Sequence, residues 1–193
     1  NRYVQCDDIE PAKLAQMVTN VGLEVEGMHA LAYGTKLVVG YVKSCQMHPD
    51  SDHLHVCEVE IGDGIVSQIV CGAPNVAADM KVIVALPGCE LPGGTIKQSV
   101  IRGQESNGMI CSLSEIGIDA RFQTEEQKAG IEILPEDAPV GQEALSYLGL
   151  KDEVLEVGLT PNRSDCMAIT SFAYEVGAVL NRPVHLPEVK MTG

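Results

Sequence analysis

The stretch Val38–Gly62, "VVGYVKSCQMHPDSDHLHVCEVEIG", decides how the rest of the chain is read. Two apolar-rich runs, Leu37–Cys45 and Leu54–Ile61, flank the turn signal "HPDSD", where Pro49 precedes residues whose side chains favour bonds to nearby backbone. From His48 to Cys57 lie three histidines, two aspartates and a cysteine. The segment is therefore either a metal or catalytic cluster, or the corner between two strands. Apolar parity separates the two. Leu54 and Val56 are even-numbered, whereas Cys57, Val59 and Ile61 are odd-numbered, with Glu58 and Glu60 between them. Such a flip marks a β-bulge, here expected near Cys57. Cys57 then points into a core while His53 and His55 point out, and no ion is shared. On this reading the stretch is a turn and a strand start.

Working outward, the same character repeats. Ile65–Cys71, Lys81–Leu86, Thr95–Ile101 and Met109–Ser112 read as strands, separated by "GDG", "GAPN", "LPGCELPGG" and "RGQESNG". Short strands with Gly/Pro turns predict a small closed barrel. The absence of Trp and the presence of only two Phe agree with that better than with a helical bundle. Both ends of the chain differ. "EPAKLAQMVTN" (Glu10–Asn20) predicts a helix with Pro11 in its first turn, followed by an alternating strand at Leu23–Glu26. Near the other end Val154–Leu159 reads as a strand. "PNRSDC" reads as a turn with Asp165 as a helix N-cap and Arg163 as its ion partner. Ile169, Phe172, Ala173, Val176 and Leu180 share one face of a last helix. The fold class expected is α+β with an all-β insertion. Residues 1–38 and 151–193 form one discontinuous domain, and a barrel at 39–150 is inserted in it.

Charge and cysteine content narrow the function. A net charge of −14 argues against a broad phosphate-binding surface. Between Met80 and Gln104, however, the only acid is Glu90, against Lys81, Lys97 and Arg102, so an anionic partner is best received there. Seven cysteines form no CxxC pair, and those at Cys57, Cys71 and Cys111 sit in apolar runs as small hydrophobes. With a polar start and no apolar run of membrane-spanning length, the expectation is a reduced, cytoplasmic chain with no membrane partner. No P-loop, no GxGxxG and no Ser/His/Asp order appears, so the segment is expected to hold no catalytic centre, metal or cofactor of its own.

The run from "VVGYVKSCQMHPDSDHLHVCEVEIG" through "QIVCGAPNV" and "KVIVALPGCELPGG" to "IRGQESNGMICSLSEIGI" resembles the tRNA-binding OB domain of synthetases and their associated proteins. The flanks "GLEVEG" and "GLTPNRSDC" narrow this to the N-terminal region of the bacterial phenylalanyl-tRNA synthetase β subunit. That resemblance implies a five-stranded OB-fold Greek-key barrel inserted in the α+β domain. The parent it implies is an aminoacyl-tRNA synthetase, an (αβ)2 ligase of protein biosynthesis that attaches phenylalanine to its tRNA with ATP and magnesium. The implied partners are tRNA, the α subunit and the remainder of the β subunit.

Carried over residue by residue, the RNA-facing positions are His48, Asp52 and His53 in the turn. With them go Ser106, Asn107, Gly108, Met109 and nearby Ser112, while Lys43, Lys97 and Arg102 are candidate phosphate partners. His53 stands where the family commonly has a basic residue, and stacking rings are few, so the isolated segment is expected to bind tRNA weakly. Two rival readings remain at this stage. One is a free-standing OB-fold tRNA-binding or chaperone module acting as a homodimer; the other is a small metalloenzyme using His48 and His53.

Overall fold

The computed structural model describes residues 2–188. In chain order the first half holds helix α1 (Pro11–Asn20) and strands β1 (Glu24–Ala30), β2 (Leu37–Met47), β3 (His55–Glu60), β4 (Val66–Cys71) and β5 (Lys81–Ala85). Two small hairpins follow, β6 (Glu90–Leu91) with β7 (Gly94–Thr95), and β8 (Ser99–Ile101) with β9 (Gln104–Ser106). Then come β10 (Met109–Cys111), α2 (Glu125–Ala129), β11 (Ile133–Leu134), α3 (Ala144–Tyr147), β12 (Glu153–Gly158) and α4 (Ile169–Leu180). The residues divide into two compact units, one running Ala30–Asp152 and the other drawing on residues up to His29 and from Glu153 onward. Among the described residues no helix is long and apolar enough to cross a membrane.

The Ala30–Asp152 unit is built on a curled antiparallel sheet in the order β10-β5-β2-β3-β4, with β11 also paired to β5. The central strand β5, "KVIVA", is buried on both faces, which is why it reads as an unbroken apolar run. Val82 and Val84 pack inward with Val42, Cys57, Val59, Ile69 and Ile110. Ile83 and Ala85 pack on the other side, with Leu37, Val39, Leu91, Leu113 and Ile116. Gly40 is required where β2 crosses this layer, because a Cβ there would lie 2.5 Å from Val84 Cγ2 and 2.8 Å from Val59 Cγ1. The far edge of the sheet curls back onto the segment entering β10. Asn107 N–H donates to Gln68 O (2.8 Å), and Ser67 Oγ donates to Asn107 O (2.9 Å).

Three features differ from the sequence reading. The bulge lies on β2, not at Cys57: Val42 pairs with Val59 and Ser44 with Glu58, leaving Lys43 as the extra residue. β3 pairs with β4 without a break from His55 to Glu60, so His55 shares the inward face of Cys57 instead of pointing out. Leu54 misled the parity count because it belongs to the turn, one residue before the strand begins. Thr95–Ile101 is not one strand but the meeting of two hairpins. Residues 30–38 belong with the middle of the chain, since Leu31 N donates to Asp152 O, Tyr33 N to Ile116 O and β2 already pairs with β5 from Leu37.

In the other unit β1 pairs with β12, and α1 and α4 close over Val4, Val18, Leu23, Cys166, Ala173 and Val176. Asp165 does not cap α4, whose N-cap is Ala168 without a side-chain bond. It pairs instead with Arg163 (3.3 Å), whose Nη2 also reaches Glu175 Oε1 at 2.7 Å and ties the turn Pro161–Met167 to α4. A second clamp joins the chain ends of this unit, Arg182 donating to both oxygens of Asp8 at 2.6 Å and to Gln5 O at 2.6 Å.

The Arg182 guanidinium holds the Asp8 carboxyl below its usual range. A carboxylate with a lowered folded-state pKa stabilises above the unfolded value and loses that contribution as pH falls below about 4. Asp8→Asn is therefore expected to be less stable than wild type at pH 7, with the gap closing at pH 3. Urea midpoints at the two pH values measure it; a gap independent of pH would show that the charge is not what the clamp uses.

Candidate nucleic-acid interface

Beside the curled sheet lies a groove of about 870 Å³. Its floor is Gly108–Ile110 and Ser112, where the closing segment meets β10. One wall is the turn Gly72–Pro74 after β4 together with Leu54; the opposite wall is Thr95–Lys97, Ser99 and Ile101. Ser114, Glu115 and Lys128–Ile131 complete the rim.

Backbone constraints fix the floor. Gly108 sits at φ +138°, and a Cβ there would come within 2.8 Å of Ala85 O, so the glycine is needed for both conformation and space. Ser106 is buried, its hydroxyl accepting from Val70 N–H (3.1 Å) and donating to Gly108 O (3.2 Å). The rim is held by Asn75, which donates to Ile131 O (2.9 Å) and accepts from Ile131 N–H (3.0 Å). The sequence reading gave Asn75 the task of satisfying backbone groups, and it does so 56 residues away.

The histidine turn has a structural task. His48 is 2 % exposed. Asp50 N–H donates to its Nδ1 (3.0 Å), so Nε2 carries the hydrogen and donates to Ile101 O (3.1 Å). Both ring nitrogens are occupied, and His48 offers nothing to RNA or to an ion. Arg102 repeats the connection, its Nη1 donating to Asp50 O (2.9 Å) from the tip of the β8–β9 hairpin. Positive φ at Arg102 (47°) and Gly103 (83°) gives that hairpin a two-residue turn matched to strand twist. The β8–β9 wall is thus clasped to the corner between β2 and β3.

Of the residues expected to face RNA, the groove brings together Lys97, Gly108, Met109 and Ser112. Ser106 and Asn107 support its floor from behind. Asp52 and His53 form an exposed pair at 2.9 Å, the imidazole holding the Asp52 carboxyl below its usual range. Lys43 is the bulge residue and pairs with Glu60 at 3.3 Å. Sequence reasoning missed Lys128, Glu115 and the wall Gly72–Pro74. The Gly/Pro turn was visible as a turn, but nothing local to it shows that it borders a groove.

Electrostatically the groove is mixed. Lys97 has no partner among the described residues, Lys128 pairs with Glu125 at 2.7 Å, and Glu115 accepts from Ser112 N–H (2.6 Å) and Ser112 Oγ–H (2.9 Å). Apolar surface and hydroxyls in the middle, with ammonium groups at the margins, suit a base or sugar better than a run of phosphates. All seven cysteines are free; burial pushes the Cys57 and Cys111 thiols far up, which leaves them inert.

The one metal-capable group among the described residues is Asp165, Cys166 and Glu175. Arg163 Nη2 already touches all three, at 2.7 Å from Glu175, 2.9 Å from Cys166 Sγ and 3.3 Å from Asp165. That donor set is filled by a cation of the protein itself and does not fit magnesium or zinc. The geometry is that of a binding module.

A sequence profile for the family described as "Putative tRNA binding domain" matches residues 37–143, more than half of the chain. The phenylalanine–tRNA ligase β subunit of Geobacillus kaustophilus is 49% identical over 188 residues, covering 96% of this chain and 23% of that protein. Its counterpart from Bacillus subtilis is 47% identical over 188 residues, with the same coverage of 96% and 23%. Among solved structures, a MetRS-related protein from Pyrococcus horikoshii is 24% identical with a TM-score of 0.40, covering 54% of this chain and 84% of that one. The chain belongs to the tRNA-binding domain family. It spans about a quarter of the length of the curated relatives it matches.

His48→Ala is expected to cost about 2 kcal/mol, from two lost hydrogen bonds and two backbone groups left without partners. His48→Gln, which can still donate to Ile101 O, is expected to recover part of it; urea unfolding measures both. The purified protein is expected to carry no stoichiometric zinc. Elemental analysis finding about one zinc per chain, lost in Cys166→Ser, would place an ion where the Arg163 guanidinium lies.

Proposed function

We propose that this chain is the N-terminal part of a phenylalanine–tRNA ligase β subunit and supplies that enzyme with a tRNA-binding module. The observation that carries the reading is a groove, floored by Gly108–Ser112, inside the span matched to the tRNA-binding family. Similarity to the β subunits runs over 96% of the chain, across both flanks, which a free-standing module of residues 37–143 does not account for.

On this reading the curled sheet is a five-stranded OB-fold Greek-key barrel, inserted in a discontinuous α+β domain formed by the two ends. RNA reaches it through Lys97, Gly108, Met109 and Ser112, with Lys128 added from the rim. Asp52 and His53 lie outside that groove's lining, and His48, Ser106, Asn107 and Arg102 position its walls and floor. The parent enzyme is a cytoplasmic (αβ)2 assembly that charges tRNA with phenylalanine. ATP and magnesium, which that reaction uses, act on other parts of the assembly, since no residue set described here fits them.

The groove holds RNA chiefly by base and sugar contacts, so affinity is modest. For the isolated chain and a phenylalanine tRNA transcript, the dissociation constant is expected on the order of 10⁻⁴–10⁻⁶ M, the range of non-specific DNA binding. Lys97→Glu and Lys128→Glu are each expected to weaken binding and reduce the slope of log K against log salt by about 1. Fluorescence anisotropy across a salt series measures this. Binding indifferent to salt and to both reversals would make the module a structural or subunit-docking element.

A further inference from the structure

We propose that Phe122 is a stacking platform for an unpaired base of the bound RNA, a contact that extends the groove and rests on the tRNA reading above. Phe122 is 78% exposed, and between Ile101 and Glu132 no other large apolar side chain is left so open. A lone exposed apolar residue carries little meaning by itself. What distinguishes this one is how rigidly it is presented.

The ring ends the short turn Ala120–Phe122, which Asp119 opens by accepting from Arg121 N–H at 2.8 Å. Asp119 also grips the Arg121 guanidinium through Nε (3.0 Å) and Nη2 (2.9 Å). The gripped guanidinium carbon sits 5.8 Å from the centre of the Phe122 ring. Asp119 therefore holds in place both the turn and the cation packed on the ring.

The next residue ties this turn to the groove. Gln123 is buried and donates to Ser114 Oγ (3.0 Å) and Ile118 O (2.7 Å). Thr124 then starts α2 with a reciprocal capping pair to Gln127, and α2 delivers Lys128 and Ala129 to the rim. Along the chain the ring lies between two groove-lining segments and is fastened to one of them. A preorganised aromatic face loses little freedom when a base stacks on it.

The chemistry favours a nucleobase over an apolar protein surface. Protein contacts bury a contiguous apolar centre, whereas this ring is flanked by Asp119, Arg121, Glu125 and Glu126. Those acids repel phosphates, so the backbone of the RNA stays with Lys97 across the groove while a base reaches the ring.

The chain has no Trp, so Phe122→Trp introduces a single fluorophore at the site. With a phenylalanine tRNA transcript as probe, Phe122→Ala is expected to weaken binding about five- to 100-fold. Phe122→Trp is expected to retain binding and show fluorescence quenching that saturates with it. Wild-type binding that responds to Lys97→Glu, with Phe122→Ala unchanged and the Trp signal unquenched, would overturn the stacking contact alone and assign the ring to a protein contact. Absence of salt-dependent tRNA binding by wild type would overturn the tRNA reading and this proposal together. Should Phe122→Ala fail to fold, the Trp variant still decides.

Discussion

One extra residue on β2 controls the geometry of the sheet-based unit. With Lys43 inserted, Val42 and Cys45 are three positions apart yet both face the interior, opposite Val59 and Cys57. Without the bulge the second half of β2 would present the opposite set of side chains to the core, because strand periodicity is two. The same insertion increases local twist, and it lies midway along the longest strand of the sheet. Everything beyond it depends on that change of direction. Met47 hands over to the His48 turn, His48 and Arg102 clasp the β8–β9 hairpin, and the hairpin walls the groove. A residue first considered as a ligand for RNA or metal is thus a fastener, and burial explains why: a histidine with both nitrogens engaged has no chemistry to spare.

The strands and turns of this unit were legible because their signals are local. β5 announced itself as an apolar run with Lys81 at its start, and β1 and β12 as alternating segments at opposite ends of the sequence. The bulge was detectable but misplaced. Val56 and Cys57 were counted as opposite faces of one interior, when Leu54 lies outside the strand and Val56 is only half-buried. Parity in one strand says that a register shift exists somewhere in the pair; only the partner strand tells which side carries it.

The site was legible in part for a similar reason. The "SNGMICS" segment showed through its Gly108, since no other residue tolerates that φ beside Ala85 O. Lys128 and Glu115 did not show, because their role comes from a rim closed by Asn75 bonding Ile131 across 56 residues. Asp165 illustrates the converse error. A side chain before a helix with the right chemistry for a cap was drawn instead to Arg163, a charged donor that offers a stronger bond than a backbone N–H.

Charge explains how an acidic chain can carry a groove for an anionic polymer. The net charge of −14 is spread over many exposed acids, and at the groove it meets one unpaired ammonium group, Lys97. A long-range field of that sign slows the approach of RNA and removes most of the gain from counterion release. Contacts that do not depend on charge then set the affinity: apolar floor, hydroxyls and exposed ring area. Such a site discriminates little by sequence, because every base has a face to stack. A module of this kind contributes to a larger assembly by adding a weak second contact to a tRNA already held elsewhere, where effective concentration multiplies even a modest affinity.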